Sequence, residues 1–194
     1  MRNYELYFII NPELTAEKTD KLIDNIQQAI SHNLHVKDIQ VQKEGVKKLA
    51  YPIKKQWTGF YVSFIFDVAD KDTININTIE KVLNLETNIV RHLIINLDHF
   101  NKLKSKENLN KTDIKDHREF NKGKKKNKCF VKHLGLKDFD YKDIEFLNQF
   151  TSPYAKIFSS SKTGTSAKYQ RKLSKAIKRA RHMALMPFTT KHFN

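Results

Sequence analysis

The spacing of the apolar residues changes repeatedly along the first hundred positions of this chain. A run of aromatic and β-branched residues from Tyr4 to Ile10 stops at Asn11-Pro12, which indicates a buried strand that ends in a turn. Thr15 suits the N-cap of a helix that is predicted to end near His32-Asn33. Apolar residues recur at helical spacing in this stretch, at Leu22, Ile23, Ile26, Ala29 and Ile30. The chain is therefore predicted to open with a strand and an amphipathic helix.

The next two apolar stretches alternate with a period of two. From Leu34 to Gln42, through Val36, Ile39 and Val41, the alternation slips once, which predicts a strand with a bulge before Gly45 interrupts it. The strand is continued by Leu49, Tyr51 and Ile53. A further strand is predicted from Gly59 to Val68 because its residues divide between two faces, with Phe60, Val62, Phe64 and Phe66 on one and Tyr61 and Ile65 on the other.

A second helix and a last strand complete this part of the chain. Helical spacing relates the apolar residues Ile76, Ile79, Val82, Leu83 and Leu85. A strand rich in β-branched residues is predicted from Ile89 to Leu97. The order βαββαβ, with two helices on one side of a four-stranded antiparallel sheet, is the ferredoxin-like arrangement. We therefore predict an α+β protein in which residues 1–98 form a ferredoxin-like domain.

The charge of the chain is concentrated in its second half. The formal net charge is +15, of which residues 1–98 contribute −1 and residues 99–194 contribute +16. This asymmetry predicts that the C-terminal half meets a polyanion. The stretch from Asn101 to Lys128 has almost no apolar side chains and includes Lys124-Lys125-Lys126, which predicts a basic flexible linker over residues 99–128. Residues 129–194 are predicted to form a small all-α domain.

Two helices are predicted in that domain. The first is expected to begin behind a cap at Asp138 or Asp140, to end before Pro153, and to contain Tyr141, Ile144, Leu147 and Phe150. The second is expected to run from about Ser166 to Leu185. Its apolar stripe is Tyr169, Leu173, Ala176, Ile177, Ala180 and Ala184.

Cations cover much of the remaining surface of the second helix, at Lys168, Arg171, Lys172, Lys175, Lys178, Arg179 and Arg181. Residues 151–194 contain no Asp or Glu. Because like charges at helical spacing repel one another, this density favours a bound nucleic acid over a solvated basic face. Thr163-Gly164-Thr165-Ser166, after Lys162, places hydroxyl and N–H groups at the positive end of the helix dipole, where a phosphate could be seated.

The sequence gives little support for base stacking, catalysis, metal binding or membrane insertion. Gly59 to Phe64 is similar to the aromatic strand that stacks bases in RNA-recognition motifs, but the pattern is one residue short and core packing is the preferred interpretation. No catalytic spacing is recognised, and five glycines leave no room for a nucleotide-cradling loop. Cys129 is the only cysteine, so we expect no disulfide, metal or cofactor. We also expect no membrane span and no small-molecule substrate.

The N-terminal half resembles bacterial small-subunit ribosomal protein six. The resemblance covers residues 1–98 and rests on Met1 to Glu5, Asn11-Pro12-Glu13, Gly45 to Lys55 and Gly59-Phe60-Tyr61, with Leu49 to Ile53 as its most specific part. Members of that family have the ferredoxin-like fold. In this half of the chain we predict RNA contacts at Arg2, Lys54, Lys55 and Arg91. Glu44 departs from the family, whose members often carry Trp there.

The C-terminal half resembles bacterial small-subunit ribosomal protein eighteen over about residues 129 to 190. Asp140 to Asp143, Thr163-Gly164-Thr165 and Ala167 to Arg181 carry the resemblance, whereas Ser159 to Lys162 replaces a basic pair. The two families bind one another and the central domain of small-subunit ribosomal RNA. The resemblance therefore implies a fused, RNA-binding structural component of the small-subunit platform, with neighbouring ribosomal proteins as partners and its two halves docked. It also implies a cytoplasmic, ribosome-bound protein, of a bacterial or an organellar ribosome.

Two other functions remain as alternatives. A DNA-binding regulator could place the basic helix in a major groove, although nearly continuous Lys and Arg suit phosphates better than base edges. A ferredoxin-like acyl-phosphate hydrolase would need an Arg and an Asn around a phosphate loop, and Asn11-Pro12-Glu13 offers no such loop. We therefore expect a protein that is not an enzyme.

Overall fold

The computed structural model describes residues 1–36, 38–69, 75–97 and 138–189, and the chain divides into two compact units, Met1–Asp98 and His99–Asn194. The predicted linker over residues 99–128 and Cys129 lie outside the described residues. The elements of the N-terminal unit are β1 (Arg2–Ile10), α1 (Ala16–Leu34), β2 (Ile39–Ile53), β3 (Gln56–Val68), α2 (Ile76–Leu85) and β4 (Ile89–Asn96). This is the predicted βαββαβ order.

The four strands form one antiparallel sheet in the order β2-β3-β1-β4. Alternate residues of β1 and β3 face the two helices and form the core, as in the cross-strand pairs Leu6↔Phe64 and Phe8↔Val62. The helices bury most of the apolar positions that their spacing predicted, among them Leu22, Ile23, Ile26, Ile30, Ile79 and Leu83. Leu85 is the exception, since it lies at the end of α2 and is 81% exposed. The ferredoxin-like prediction is therefore confirmed, including the core face of β3.

Two local predictions in this unit are wrong. Leu34 belongs to the last turn of α1, which ends at His35 in a left-handed conformation, so β2 begins only at Ile39. Gly45 does not interrupt β2, because the strand runs through it with a register shift between Lys43 and Gly45. Gly45 has a φ of +83°, a conformation that glycine adopts at little cost, and it forms the bulge.

The far ends of β2 and β3 form a hairpin arm, which we define as residues 46–58. Its two-residue turn consists of Lys54 and Lys55, with φ values of +49° and +67°, and is closed by the pair Ile53↔Gln56. At the base of the arm, a Cβ added to Gly59 would lie 2.5 Å from Cγ2 of Ile9. The arm therefore packs onto the sheet face opposite the helices through a contact that only glycine fits.

The described part of the C-terminal unit contains α3 (Ile144–Asn148), α4 (Ser160–Thr163) and α5 (Ala167–His182). Its core joins aromatic residues before and after α3 to the apolar stripe of α5, and includes Phe139, Tyr141, Phe146, Leu147, Phe150, Leu173, Ile177 and Ala180. The all-α prediction is confirmed. Among the described helices, none is both long enough and apolar enough to cross a membrane.

The first predicted helix of this unit is shorter than expected. Its N-cap is Asp143, whose carboxylate accepts a 3.2 Å hydrogen bond from the Phe146 N–H, and not Asp138 or Asp140. Asp140 instead accepts from the Lys142 N–H at 3.0 Å and shapes the preceding turn. α5 begins after Ser166 as predicted, but it ends at His182, and residues 183–186 continue as turns.

Candidate nucleic-acid interface

One face of α5 presents an exposed row of cations, which we call the cationic stripe. Its members are Lys168, Arg171, Lys175 and Lys178. Their spacing of three, four and three residues brings them onto one side of the helix, over a length of about 15 Å. The buried residues Leu173, Ala176, Ile177 and Ala180 lie on the opposite side and fix the orientation of the helix. The stripe can thus meet several consecutive phosphates of one RNA segment.

A groove beside the cationic stripe adds neutral hydrogen-bonding groups. It has a volume of about 480 Å³ and is lined by Ser160, Ala167, Gln170, Arg171, Ser174, Lys175 and Lys178. Cations neutralise phosphate charge, whereas hydroxyl and amide groups bind phosphate oxygens and sugar hydroxyls. Ser174 was missed from the sequence, although it lies three residues after Arg171 and four before Lys178, a helical spacing that places it on their face.

Two of the predicted α5 contacts have partners within the unit. Lys172 Nζ lies 3.0 Å from the carboxylate of Asp138, and both side chains are partly buried. The Arg181 guanidinium donates to the carbonyl of Ala155 and lies 5.9 Å from the ring centroid of Phe188. Burial lowers the pKa of Arg181. These two cations hold the domain together, and an RNA contact by either remains a prediction.

Arg179 is half-buried and lies in the last turn of α5. A cation there complements the negative end of the helix dipole. Its contact with RNA also stays a prediction.

The turn before α5 is a hydrogen-bonded network. The Thr163 and Thr165 hydroxyls lie 2.9 Å apart, the Thr165 hydroxyl donates to the Gln170 side chain, and Gln170 donates to the Phe158 carbonyl at 2.7 Å. Gly164 has a φ of +67° and closes α4. Both threonine hydroxyls are therefore engaged inside the domain, where they fix the start of α5. Whether this turn also seats a phosphate, as predicted, remains a prediction.

Lys162 precedes this turn and is exposed. Its Nζ lies 4.0 Å from the ring centroid of Phe158, at cation–π distance. The ring holds the ammonium group at the surface of the C-terminal unit, where it can still face a phosphate.

The predicted contacts of the N-terminal unit do not form one patch. Arg2 is exposed at the start of β1, where it pairs with Val68, whereas Lys54 and Lys55 are exposed at the tip of the hairpin arm. The nine residues of β1 span about 30 Å, and the arm lies at its far end, where Gln56 contacts Asn11. An RNA bound at both places would have to follow the length of the sheet.

Arg91 lies at the same end of the sheet as the hairpin arm. Its Nη1 donates a 2.7 Å hydrogen bond to the Tyr51 hydroxyl, and its guanidinium carbon lies 5.5 Å from the Tyr51 ring centroid. Arg91 is half-buried, so part of the guanidinium holds the arm against the sheet. If Arg91 also contacts RNA, as predicted, the same guanidinium must bind both Tyr51 and the RNA.

Three aromatic residues of β3, Tyr61, Phe64 and Phe66, are buried. Tyr61 and Phe64 have no exposed surface, so neither ring can receive a base from solvent. Tyr7, opposite Ser63 on β3, donates a 2.6 Å hydrogen bond to Glu44, which also pairs with Lys47 at 2.6 Å. Burial, followed by the contact with Glu44, raises the pKa of Tyr7. Glu44 therefore anchors β2 in this chain.

Metal chemistry finds no site in the parts of the chain that the structure describes. No group of three or more His, Cys, Asp or Glu side chains is arranged there to hold an ion. The candidate interface on the described residues consists of cations, amides and hydroxyls.

Two family models match this chain in succession. The model of ribosomal protein S6 matches residues 3–96, and the model of ribosomal protein S18 matches residues 135–186. The first match covers β1 to β4, and the second covers α3 to α5.

Individual relatives agree with the second of these matches. The small ribosomal subunit protein bS18 of Phocaeicola vulgatus is 52% identical over 67 residues, which are 34% of this chain and 75% of that protein. The bS18 protein of Bacteroides fragilis is also 52% identical over 67 residues and is covered to 74% of its length. A crystal structure of 30S ribosomal protein S6 from Thermotoga maritima is 28% identical, with a TM-score of 0.49, and the match covers 54% of this chain and 95% of that one.

Proposed function

We propose, from the premise that this chain belongs to the ribosomal protein S18 family and carries a ribosomal protein S6 domain ahead of it, that it is a structural constituent of the small ribosomal subunit. Proteins of these two families are structural and not enzymes. The proposed location is accordingly on the ribosome, in the cytoplasm of a bacterium or in an organelle. Its proposed partners are small-subunit ribosomal RNA and neighbouring small-subunit proteins.

We infer that the C-terminal unit binds the central domain of small-subunit ribosomal RNA, on the platform. The observation that carries this proposal is the cationic stripe, whose four side chains are all exposed. No Asp or Glu occurs after Glu145 in the sequence. Since nothing acidic in this region competes for these cations, phosphates are their natural partners. Such contacts position the protein, and the shape of the folded RNA supplies the selectivity.

We further propose that the two units act as a covalently linked heterodimer. The two family matches, which lie in one chain and in succession, support it. A flexible linker of about 30 residues has an r.m.s. span of roughly 30 Å, which gives the tethered partner an effective concentration near the millimolar range. Docking of one unit on the other would then not depend on the concentration of free protein.

Ribosome sedimentation from the native source tests this function. Mass analysis of the small-subunit fraction is expected to find both units in one species of at least 22.9 kDa. Two fragments in the same fraction would contradict the covalent heterodimer but keep the ribosomal assignment. Free protein that is absent from ribosomal fractions would contradict the assignment itself and favour the DNA-binding alternative.

A further inference from the structure

The tip of the hairpin arm combines an unusual backbone with two charged side chains. Two-residue hairpin turns in which both residues have positive φ normally use Asn and Gly, because side chains with a Cβ seldom adopt that conformation. Here Lys54 and Lys55 occupy both positions, with φ values of +49° and +67°. Both are exposed. Residues that serve only the fold would relieve this backbone strain, so the two lysines point to a functional contact at the tip.

The first residue after the closing pair of the turn is Trp57, the only tryptophan of the chain. Its side chain is 40% exposed. Because side chains alternate along β3, Trp57 lies on the same face as Gly59 and Tyr61, the face opposite the helices. Its neighbours Gln56 and Thr58 are polar, so the exposed part of the indole does not belong to an apolar patch on its own strand.

The charge around this indole matches a nucleic acid. No Asp or Glu occurs between Gly45 and Phe66 in the sequence, and Lys48, Lys54 and Lys55 are all exposed. Lys47 is the exception among the lysines of the arm, since it pairs with Glu44. An aromatic ring among unopposed cations is the combination with which proteins bind unpaired nucleotides, where the ring stacks on the base and the cations contact the phosphates.

The tip is also held in a defined position. Gln56 donates a 2.7 Å hydrogen bond from Nε2 to Oδ1 of Asn11 in the turn after β1. The same oxygen accepts from the Glu13 N–H at 3.0 Å. At its base the arm contacts Ile9 through Gly59. Trp57 is therefore presented by a fixed support, which reduces the entropy lost when a base stacks on it.

We propose that Trp57 is a stacking site for one unpaired nucleobase of ribosomal RNA, with Lys54 and Lys55 on the phosphates that flank that base. This inference rests on the proposed function, because it assumes that the chain binds ribosomal RNA. It adds a base contact in the N-terminal unit to the phosphate contacts of the cationic stripe.

The single tryptophan gives the site its own spectroscopic signal. The intact chain is titrated with a transcript of the central domain of small-subunit ribosomal RNA, and binding is followed both by electrophoretic mobility and by tryptophan emission. Stacking on a base is expected to quench the emission strongly in step with complex formation. Trp57→Ala is expected to weaken binding about 5- to 100-fold, whereas Trp57→Phe retains an aromatic face and stays within roughly a few fold of the parent.

Salt dependence separates the base contact from the phosphate contacts. Trp57→Ala is expected to leave the slope of log K against log salt unchanged, whereas Lys54→Gln and Lys55→Gln each reduce it by about 0.7 to 0.9. Val46→Ala is the matched control, because Val46 is 60% exposed on the same arm but lies on the opposite face. Circular dichroism and thermal unfolding confirm that each variant folds.

The outcomes distinguish the inference from the proposed function. Tight RNA binding without quenching, and without loss of affinity in Trp57→Ala, would overturn the stacking site and leave the ribosomal function intact. Emission that is already blue-shifted and protected from acrylamide before RNA is added, and that RNA does not change, would assign Trp57 to a protein contact and also overturn the proposal. Absence of any RNA binding by the parent chain would overturn both.

Discussion

The Tyr51 hydroxyl on β2 accepts a 2.7 Å hydrogen bond from Nη1 of Arg91 on β4, although β3 and β1 lie between these two strands in the sheet. The contact is possible because the hairpin arm packs over the face opposite the helices. The Arg91 guanidinium also lies against the Tyr51 ring. This pair connects the arm that presents Lys54 and Lys55 to the far edge of the sheet.

Removal of the Tyr51 hydroxyl is expected to destabilise the N-terminal unit. Tyr51→Phe loses a hydrogen bond to a charged donor and should reduce the free energy of unfolding by about 1–2 kcal/mol. Tyr51→Leu also loses the cation–π contact and should cost roughly 0.5–1 kcal/mol more. Urea unfolding followed by the emission of Trp57 reports on this unit alone. Tyr154→Phe, at a tyrosine that is 73% exposed in the other unit, should not change the transition.

Stability of the N-terminal unit is expected to fall at alkaline pH. Burial raises the pKa of Tyr7, Tyr61 and Tyr51 above the ordinary value of 10.0. The folded protein thus keeps protons that the unfolded chain releases, so the stabilisation is complete below about pH 10 and is lost as the pH rises towards the folded pKa values. Each such tyrosine should contribute about 1.4 kcal/mol per pH unit in this range.

Urea unfolding at a series of pH values between about 9 and 11 measures this slope. Tyr61→Phe removes one of the hydroxyl protons that the folded protein retains. The decrease of the free energy of unfolding with pH should therefore become smaller by the contribution of one tyrosine, about 1.4 kcal/mol per pH unit. Tyr154→Phe serves again as the exposed control. A slope that stays flat above pH 10 in the parent chain would show that the buried tyrosines titrate normally, contrary to the structure.

Local periodicity was sufficient to predict most of the helices and strands, because an element that buries one face has apolar residues at regular intervals in the sequence. The errors occur where two local patterns compete. Leu34 and Val36 fit an alternating strand, but Leu34 is buried as the last residue of α1. Asp138, Asp140 and Asp143 could each cap a helix, and the packing of Phe146 in the core selects Asp143.

Contacts between residues distant in sequence could not be predicted from spacing. Nothing in the pattern of β2 indicates that Tyr51 reaches Arg91 across the sheet, or that Gly59 makes room for Ile9. For the same reason, all seven cations of the last helix looked equivalent in the sequence. The fold distinguishes them, because Lys172 and Arg181 meet partners within the domain whereas the stripe faces outward.

The distinction between stripe cations and structural cations yields a prediction for RNA binding. The double variant Arg171→Gln/Lys175→Gln should lose two phosphate contacts, so the slope of log K against log salt should fall by about 1.4 to 1.8, and stability should change little. Lys172→Gln breaks the ion pair with Asp138 and should act mainly on stability. Filter binding over a range of salt concentrations and thermal unfolding measure the two effects.

Lys156→Gln, an exposed lysine outside α5, provides the control for a general loss of charge. Competition with duplex DNA belongs to the same experiment. Displacement of structured RNA by duplex DNA at equal concentration would indicate that the cationic stripe fits a DNA groove. This result would favour a DNA-binding regulator over a ribosomal protein.

The covalent connection of the two units should matter most in dilute solution. When the units are produced as separate chains, cut within residues 99–128, docking becomes bimolecular. At nanomolar concentration the separate chains would associate only if their dissociation constant were comparably low, whereas a flexible linker, as predicted, would hold the partner near a millimolar effective concentration. RNA binding by the separate chains is therefore expected to be weaker than binding by the intact chain, and to recover as both are concentrated. A mixture in which the N-terminal chain carries Arg2→Gln tests whether that unit contributes an RNA contact of its own once docked. Equal binding by the fused and separate versions at nanomolar concentration would mean that the tether contributes nothing to assembly, because either the units do not dock or they dock tightly without it.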